Sequence, residues 1–377
     1  MNSTPIKTLT NKQTERQTLA TLNSVRAFAF LGVILNHTSF PCFAYIGAWG
    51  VSVFFTLSGF LFVYNYYNQK RISPISIRNN LLFSIKKIKN LYPLHIIATA
   101  FFFIIVVVGE NAIDIFRALI RLLLNIILIQ EWFGHKSLCG VSWYLCVSAF
   151  CYFLFPCINA FMEKKYNKRI AWIMIVLALC VQCLIGMFGY KLVSVQWIKQ
   201  FIGDDALDWV VYYFPFARFF DFFIGCNVGY LFLHKKDLVL KSKYYTIAEI
   251  ISTIIVVCSI VCSTLAPINC WWNKVFIFSL SSIVYVYIYA IGKGWLSNFL
   301  SNNFILYFAR ISPYGFLIHS ICFWFAYAIF FHIPNTNGEI MYATYGPPFQ
   351  ILVAFPMTII FSEIWIRIEK KYKNKIV

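Results

Sequence analysis

The chain has 377 residues, of which 60% are hydrophobic and 12% charged, against roughly 25% charged in an ordinary soluble domain. That composition excludes a soluble globular protein and indicates a polytopic membrane protein with an all-α transmembrane bundle. The net charge of +18 does not point to nucleic acid, because the basic residues fall in short loops between apolar runs, the positive-inside pattern of membrane proteins.

Residues 1–21 are polar, with no short apolar core before a small-residue cleavage site, so no removable signal is expected. They read as a cytoplasmic tail, residues 22–367 as the transmembrane domain and 368–377 as a second cytoplasmic tail. Apolar runs of spanning length fall at 22–41, 47–67, 91–109, 143–162, 170–190, 210–233, 244–266, 272–292, 311–332 and 347–367. About ten spans with both termini cytoplasmic put most of the 32 Lys and Arg inside. Asp204, Asp205 and Asp208 then lie in an outer connection. Residues 112–133 are apolar enough to cross, but one more crossing would turn the Lys164–Arg169 cluster outwards. A re-entrant or interfacial helix with Arg117 and Arg121 on one face is preferred, an eleventh span being the alternative.

The first span carries Arg26 and His37, eleven positions apart. On a helix they lie roughly 16 Å apart and on broadly the same side. Ionisable groups in a span are costly and usually functional. Asn36-His37-Thr38-Ser39 closes the span. His37 suits a general base, a transient acyl carrier, or a histidine bonded to a carbonyl at a helix end. Gly47, Gly50 and Gly59 in the second span permit close helix approach, and Ser58 beside Gly59 is a candidate for lining a cavity. Lys86, Lys87 and Lys89 at the mouth of the third span suit phosphate groups or lipid headgroups. His95 follows Pro93 and is placed near the inner interface. Trp143-Tyr144-Leu145 opens the next run. Arg218 and Asp221, at i and i+3, read by default as a structural ion pair. His319, after Ser312-Pro313-Tyr314, is a second deep imidazole with a structural or a functional role. Twelve cysteines are scattered, mostly in apolar runs. Cys180 and Cys183 read as small hydrophobes, and no metal site is expected.

Together these residues resemble the membrane acyltransferase-3 family, bacterial integral-membrane enzymes that O-acylate surface glycans. The resemblance runs from about residue 20 to residue 367. It rests on Arg26 with ten residues before His37, on Gly50-Val51 to Phe54-Phe55 and Ser58-Gly59-Phe60, on Lys87 and Asn90-Leu91-Tyr92-Pro93, on Trp143-Tyr144-Leu145, and on Ser312, Tyr314 and His319. It implies a bacterial inner-membrane enzyme that moves an acyl group, most simply acetyl, from cytoplasmic acyl-CoA to a hydroxyl of a polysaccharide or lipid-linked sugar, with acyl-CoA as co-substrate and no bound cofactor. His37 would be catalytic. Arg26 with Lys86, Lys87 and Lys89 would bind the donor. Ser58 or Asn36 would line the cavity or stabilise an oxyanion, with His319, Arg218, Asp221 and Trp143 as further candidates. One tunnel joining the cytosol to the exterior would hold Arg26 and His37 together. The chain departs from the family pattern at Ser52 and Ser148, where many members carry carboxylates, and at Lys87 and Asn90, where the pattern has arginines. Glu131, Glu110 or Asp221 is left to orient His37. A secondary transporter or lipid-linked glycan flippase has similar spans and midplane charges, but no internal symmetry is visible here.

Overall fold

The computed structural model describes residues 4–38, 40–69, 75–109, 115–193, 195, 206–235, 240–267, 270, 272–331 and 342–376. Lys70, Arg71, Glu110, Asp204, Asp205 and Lys236 lie outside them. The described residues are overwhelmingly helical, with no strand among them. The helices are α1 (Thr4–Asn36), α2 (Ile46–Tyr66), α3 (Ile77–Ile88), α4 (Tyr92–Gly109), α5 (Ile115–Ile126), α6 (Trp143–Lys165), α7 (Lys168–Val193), α8 (Pro215–Leu233), α9 (Ser242–Leu265), α10 (Phe276–Ile291), α11 (Trp295–Leu300), α12 (Asn303–Phe331) and α13 (Tyr342–Ile376).

Each of the ten apolar runs lies on a helix, but the spans are not equivalent. Among the described residues eight helices are long and apolar enough to cross. The run at 91–109 reaches a ninth only if α4 is joined to α3, and the two meet at 75°. Ser76 begins α3 by accepting from Asn79 N at 3.1 Å. The run at 272–292 forms the 16-residue α10, about 24 Å long against a hydrocarbon core of about 30 Å. Among the described residues of 112–133 the α-helix is α5, whose 12 residues extend about 18 Å. Arg117 and Arg121 do share a face, lining a surface hollow together with Lys136. The expected N-terminal tail is helical from Thr4 and continuous with the first span. Its inner end is docked, since Thr21 Oγ1 donates to the Tyr289 carbonyl at 2.7 Å and Ser24 Oγ to that of Leu300 at 2.8 Å.

The core of the bundle is the packing of α2 against α8, flanked by α1, α6, α7 and α10. Glycine makes it possible. A Cβ on Gly59 would lie 2.0 Å from the Phe222 carbonyl oxygen, and one on Gly225 2.0 Å from that of Thr56. The two backbones touch, as small-residue interfaces in lipid allow. Buried beside this contact is Arg218, wholly inaccessible. It pairs with Asp221 at 3.0 Å and donates to Ser52 Oγ at 3.3 Å. Its guanidinium lies 4.9 Å from the Tyr212 ring centroid. Asp221 also accepts from Gln182 Nε2 at 2.9 Å and from Ser279 Oγ. The pair thus links α2, α7, α8 and α10 and lines neither of the cavities described below.

Candidate active site

α1 ends where its last amides turn onto nearer carbonyls. His37 N reaches Ile34 O and Thr38 N reaches Leu35 O, both at 3.1 Å. The Asn36 amide nitrogen, in the orientation its surroundings satisfy, donates to the carbonyls of Phe43 and Ala44 at 3.1 and 2.6 Å. Asn36 therefore ties down the reversal into α2. His37 sits one residue beyond the helix rather than on it, and its ring is exposed to a cavity.

That cavity has a volume of about 440 Å³. His319 shares it. The two imidazole centroids are 5.0 Å apart and inclined at 49°. His319 is buried, and its Nδ1 donates to the Gly315 carbonyl at 3.1 Å. A carbonyl only accepts, so the neutral ring carries its lone pair on Nε2, which has no partner among the described residues. Trp143 lines the same cavity and packs against Tyr212 and Tyr213, with centroids 5.1 and 5.2 Å away. His135 completes the polar lining. Broad aromatic walls with a few convergent polar groups are the make-up of a small-molecule site.

Arg26 lines a different cavity, of about 190 Å³. Tyr144, Tyr152 and Ser58 border it, with Ser58 Oγ 3.2 Å from the Tyr152 hydroxyl. Arg26 makes no ion pair among the described residues, so an unneutralised guanidinium faces an open space. This corrects the expectation of one tunnel. The two chambers lie back to back, and Phe316 lines both. Its ring meets Tyr144 at 4.9 Å and Phe54 at 5.8 Å, and those two meet at 6.0 Å. Three aromatic rings in mutual contact separate Arg26 from His37.

The remaining candidates are spread more widely. Ser58 lies on the Arg26 side of the partition, too far along α2 to stabilise an oxyanion at His37, because helix register carries Val51 to one chamber and Ser58 to the other. Lys86 and Lys89 are exposed. Lys87 is held by the Tyr66 hydroxyl and lies over the Tyr66 ring at 4.5 Å. None of the three lysines lines the Arg26 chamber, although Leu91, two residues after Lys89, does. His95 is buried and donates from Nε2 to the Asn125 carbonyl at 2.9 Å, joining α4 to α5. Of the carboxylates left to orient His37, Glu131 and Asp221 are both engaged elsewhere. The sequence reading overlooked His135, although its i,i+4 spacing from Glu131 was visible. No metal-binding cluster occurs among the described residues.

No curated protein and no solved structure matches the chain. The model of the acyltransferase domain characteristic of the acyltransferase-3 family matches residues 19–364, nearly the whole chain. With its apolar helices, and with Arg26 and His37 lining adjoining chambers, this chain belongs to the acyltransferase-3 family and is a multi-pass membrane acyltransferase.

Proposed function

We propose that the protein transfers an acyl group, most simply acetyl, from cytoplasmic acyl-CoA to a sugar hydroxyl of a polysaccharide or lipid-linked glycan at the opposite face of a bacterial inner membrane. The observation that carries this reading is the pair of chambers at the two ends of one stretch of α1. An anionic, elongated donor suits the Arg26 chamber, where the guanidinium is free to meet phosphate or carbonyl oxygens. The Lys86–Lys89 cluster, just before Leu91 in the chain, adds charge that draws phosphates to the mouth. The inside location of that mouth follows from the loop charges.

Arg26 and His37 are about 16 Å apart on helical rise, a span of the order of a pantetheine arm. The acyl end then arrives at His37, next to the lone pair on His319 Nε2. The flat aromatic faces of Trp143 and Tyr212 suit the apolar face of a sugar ring. The acyl end has to pass the Phe54–Tyr144–Phe316 layer, so side-chain movement there belongs to the cycle.

Purified protein in detergent, given acyl-labelled CoA, should release CoA and pass the label to a sugar acceptor. His37→Ala should lose at least 10²-fold in rate, and Arg26→Ala should raise the KM for acyl-CoA more than it lowers kcat. A transporter or flippase would leave the thioester intact, and full activity in His37→Ala would end this reading.

A further inference from the structure

Residues 130–137 build a second polar centre on the wall of the His37 chamber. Gln130–Trp132 form a single 3-10 turn. Gly134 then takes φ +94°, a left-handed conformation that side chains rarely adopt. That turn folds His135 back over Glu131. Nδ1 of His135 lies 2.9 Å from Glu131 Oε2. Glu131 is fully buried, while the His135 side chain is 20% exposed. The other carboxylate oxygen, Oε1, accepts from Ser137 Oγ at 2.6 Å, and the Glu131 carbonyl accepts from Trp209 Nε1 at 2.7 Å. Trp209 thus anchors the main chain of Glu131, while Ser137 and His135 each hold one oxygen of its carboxylate. Tyr213 stacks on the ring at 4.0 Å and 15°. The ring is clamped in rotation, with Nδ1 facing Glu131 and Nε2 on the far side of the ring. No protein group bonds to Nε2 among the described residues, and His135 lines the chamber that holds His37.

A buried carboxylate serving only as an ion pair would gain nothing from placing its histidine on a cavity wall. A carboxylate-held imidazole with a free Nε2 facing a substrate-sized space is instead the arrangement of a general base. We infer that His135, positioned by Glu131, takes the proton from the acceptor hydroxyl, while His37 carries the acyl group. This rests on the acyl-transfer reading and assigns its second half. In the first half a His37 nitrogen bonds to the acyl carbon of the thioester, the C–S bond breaks and the thiolate departs. In the second half the acceptor oxygen bonds to that carbon as its proton passes to His135 Nε2. The C–N bond breaks and His37 is restored. His135 releases its proton to the solvent on its own side and the departing thiolate takes one from the cytosol, so thioester and alcohol give ester and thiol with protons in balance. His135 is then a catalytic residue and Glu131 a positioning residue.

The test uses the full chain in membrane vesicles containing their own glycan acceptor, with acetyl-labelled CoA as donor. Wild type should turn over repeatedly. His135→Gln should release CoA once per protein, leave an acetyl-sized mass increase on His37, and transfer to glycan roughly 10²-fold more slowly. Added imidazole should restore part of the transfer in His135→Ala. Glu131→Gln should lower transfer kcat about tenfold without changing the donor KM, and Glu131→Asp should recover part of the loss. Wild-type transfer rates in His135→Gln would overturn the assignment. So would loss of both CoA release and transfer without imidazole rescue, since that marks a purely structural role. Absence of acyl transfer in wild type would instead refute the acyltransferase reading on which the assignment stands.

Discussion

At the residue scale the buried charges divide by whether their surroundings neutralise them. Arg218 has a carboxylate at 3.0 Å, a hydroxyl and two aromatic faces. Arg26 has an open chamber and no carboxylate among the described residues. The first arrangement holds helices together, and the second leaves the guanidinium facing a chamber. Removing one member of a buried pair strands the other, at a cost of about 3–5 kcal/mol. Asp221→Ala should therefore lower the unfolding temperature in detergent markedly, whereas Arg26→Ala should leave it nearly unchanged. A thermal scan that ranked the two the other way would reverse these assignments. The same contrast shows what could be read from the chain. Arg26 and His37 were legible because helical spacing is local. The Arg218–Asp221 pair was legible for the same reason. The contact between His37 and His319 was not, because 282 positions separate them and only the packing of α12 against α1 joins them. The Glu131–His135 pair escaped despite its spacing, because its geometry needs the left-handed Gly134 between them.

At the scale of elements, α2 is the organising helix. One of its faces lies on α8 with glycine at the crossing, and its length carries residues into both chambers. Gly225→Ala would drive a methyl group to 2.0 Å from the Thr56 carbonyl oxygen. Neither backbone can yield as a flexible side chain would, so the helices must part. Overpacking of this kind costs roughly 1–3 kcal/mol or more, and the expected result is reduced yield of folded protein and a lower melting temperature. At Gly140 no atom lies within 4 Å of an added Cβ, so Gly140→Ala is the matched control and should melt as wild type. Hydrophobic runs located the helices well, since each of the ten lies on one. They failed to separate full crossings from α10 and the bent α3–α4 pair, because hydropathy registers burial in lipid or protein alike and carries no information on bends. Ser58 does line a cavity, the Arg26 chamber, but which chamber it lines was not legible. A motif gives neighbours in sequence, and seven residues of helix move a side chain about 10 Å.

At the scale of the whole molecule, the two chambers meet at one ring. Replacing Phe316 with Ala removes the side chain common to both. The expected outcome is faster CoA release with less of the acyl group reaching the glycan, since water then gains entry to the reacting end; release and transfer measured side by side would show the ratio rise. An unchanged ratio would mean that the ring does not govern passage. The partition has a further meaning for the cell. A bilayer that stores a proton gradient cannot tolerate an open file of water from one face to the other. Phe54, Tyr144 and Phe316, in mutual contact, stand at the junction of the two chambers. Under the proposed transfer, ring contact at that junction lets a chemical group pass without leaving the insulating sheet open.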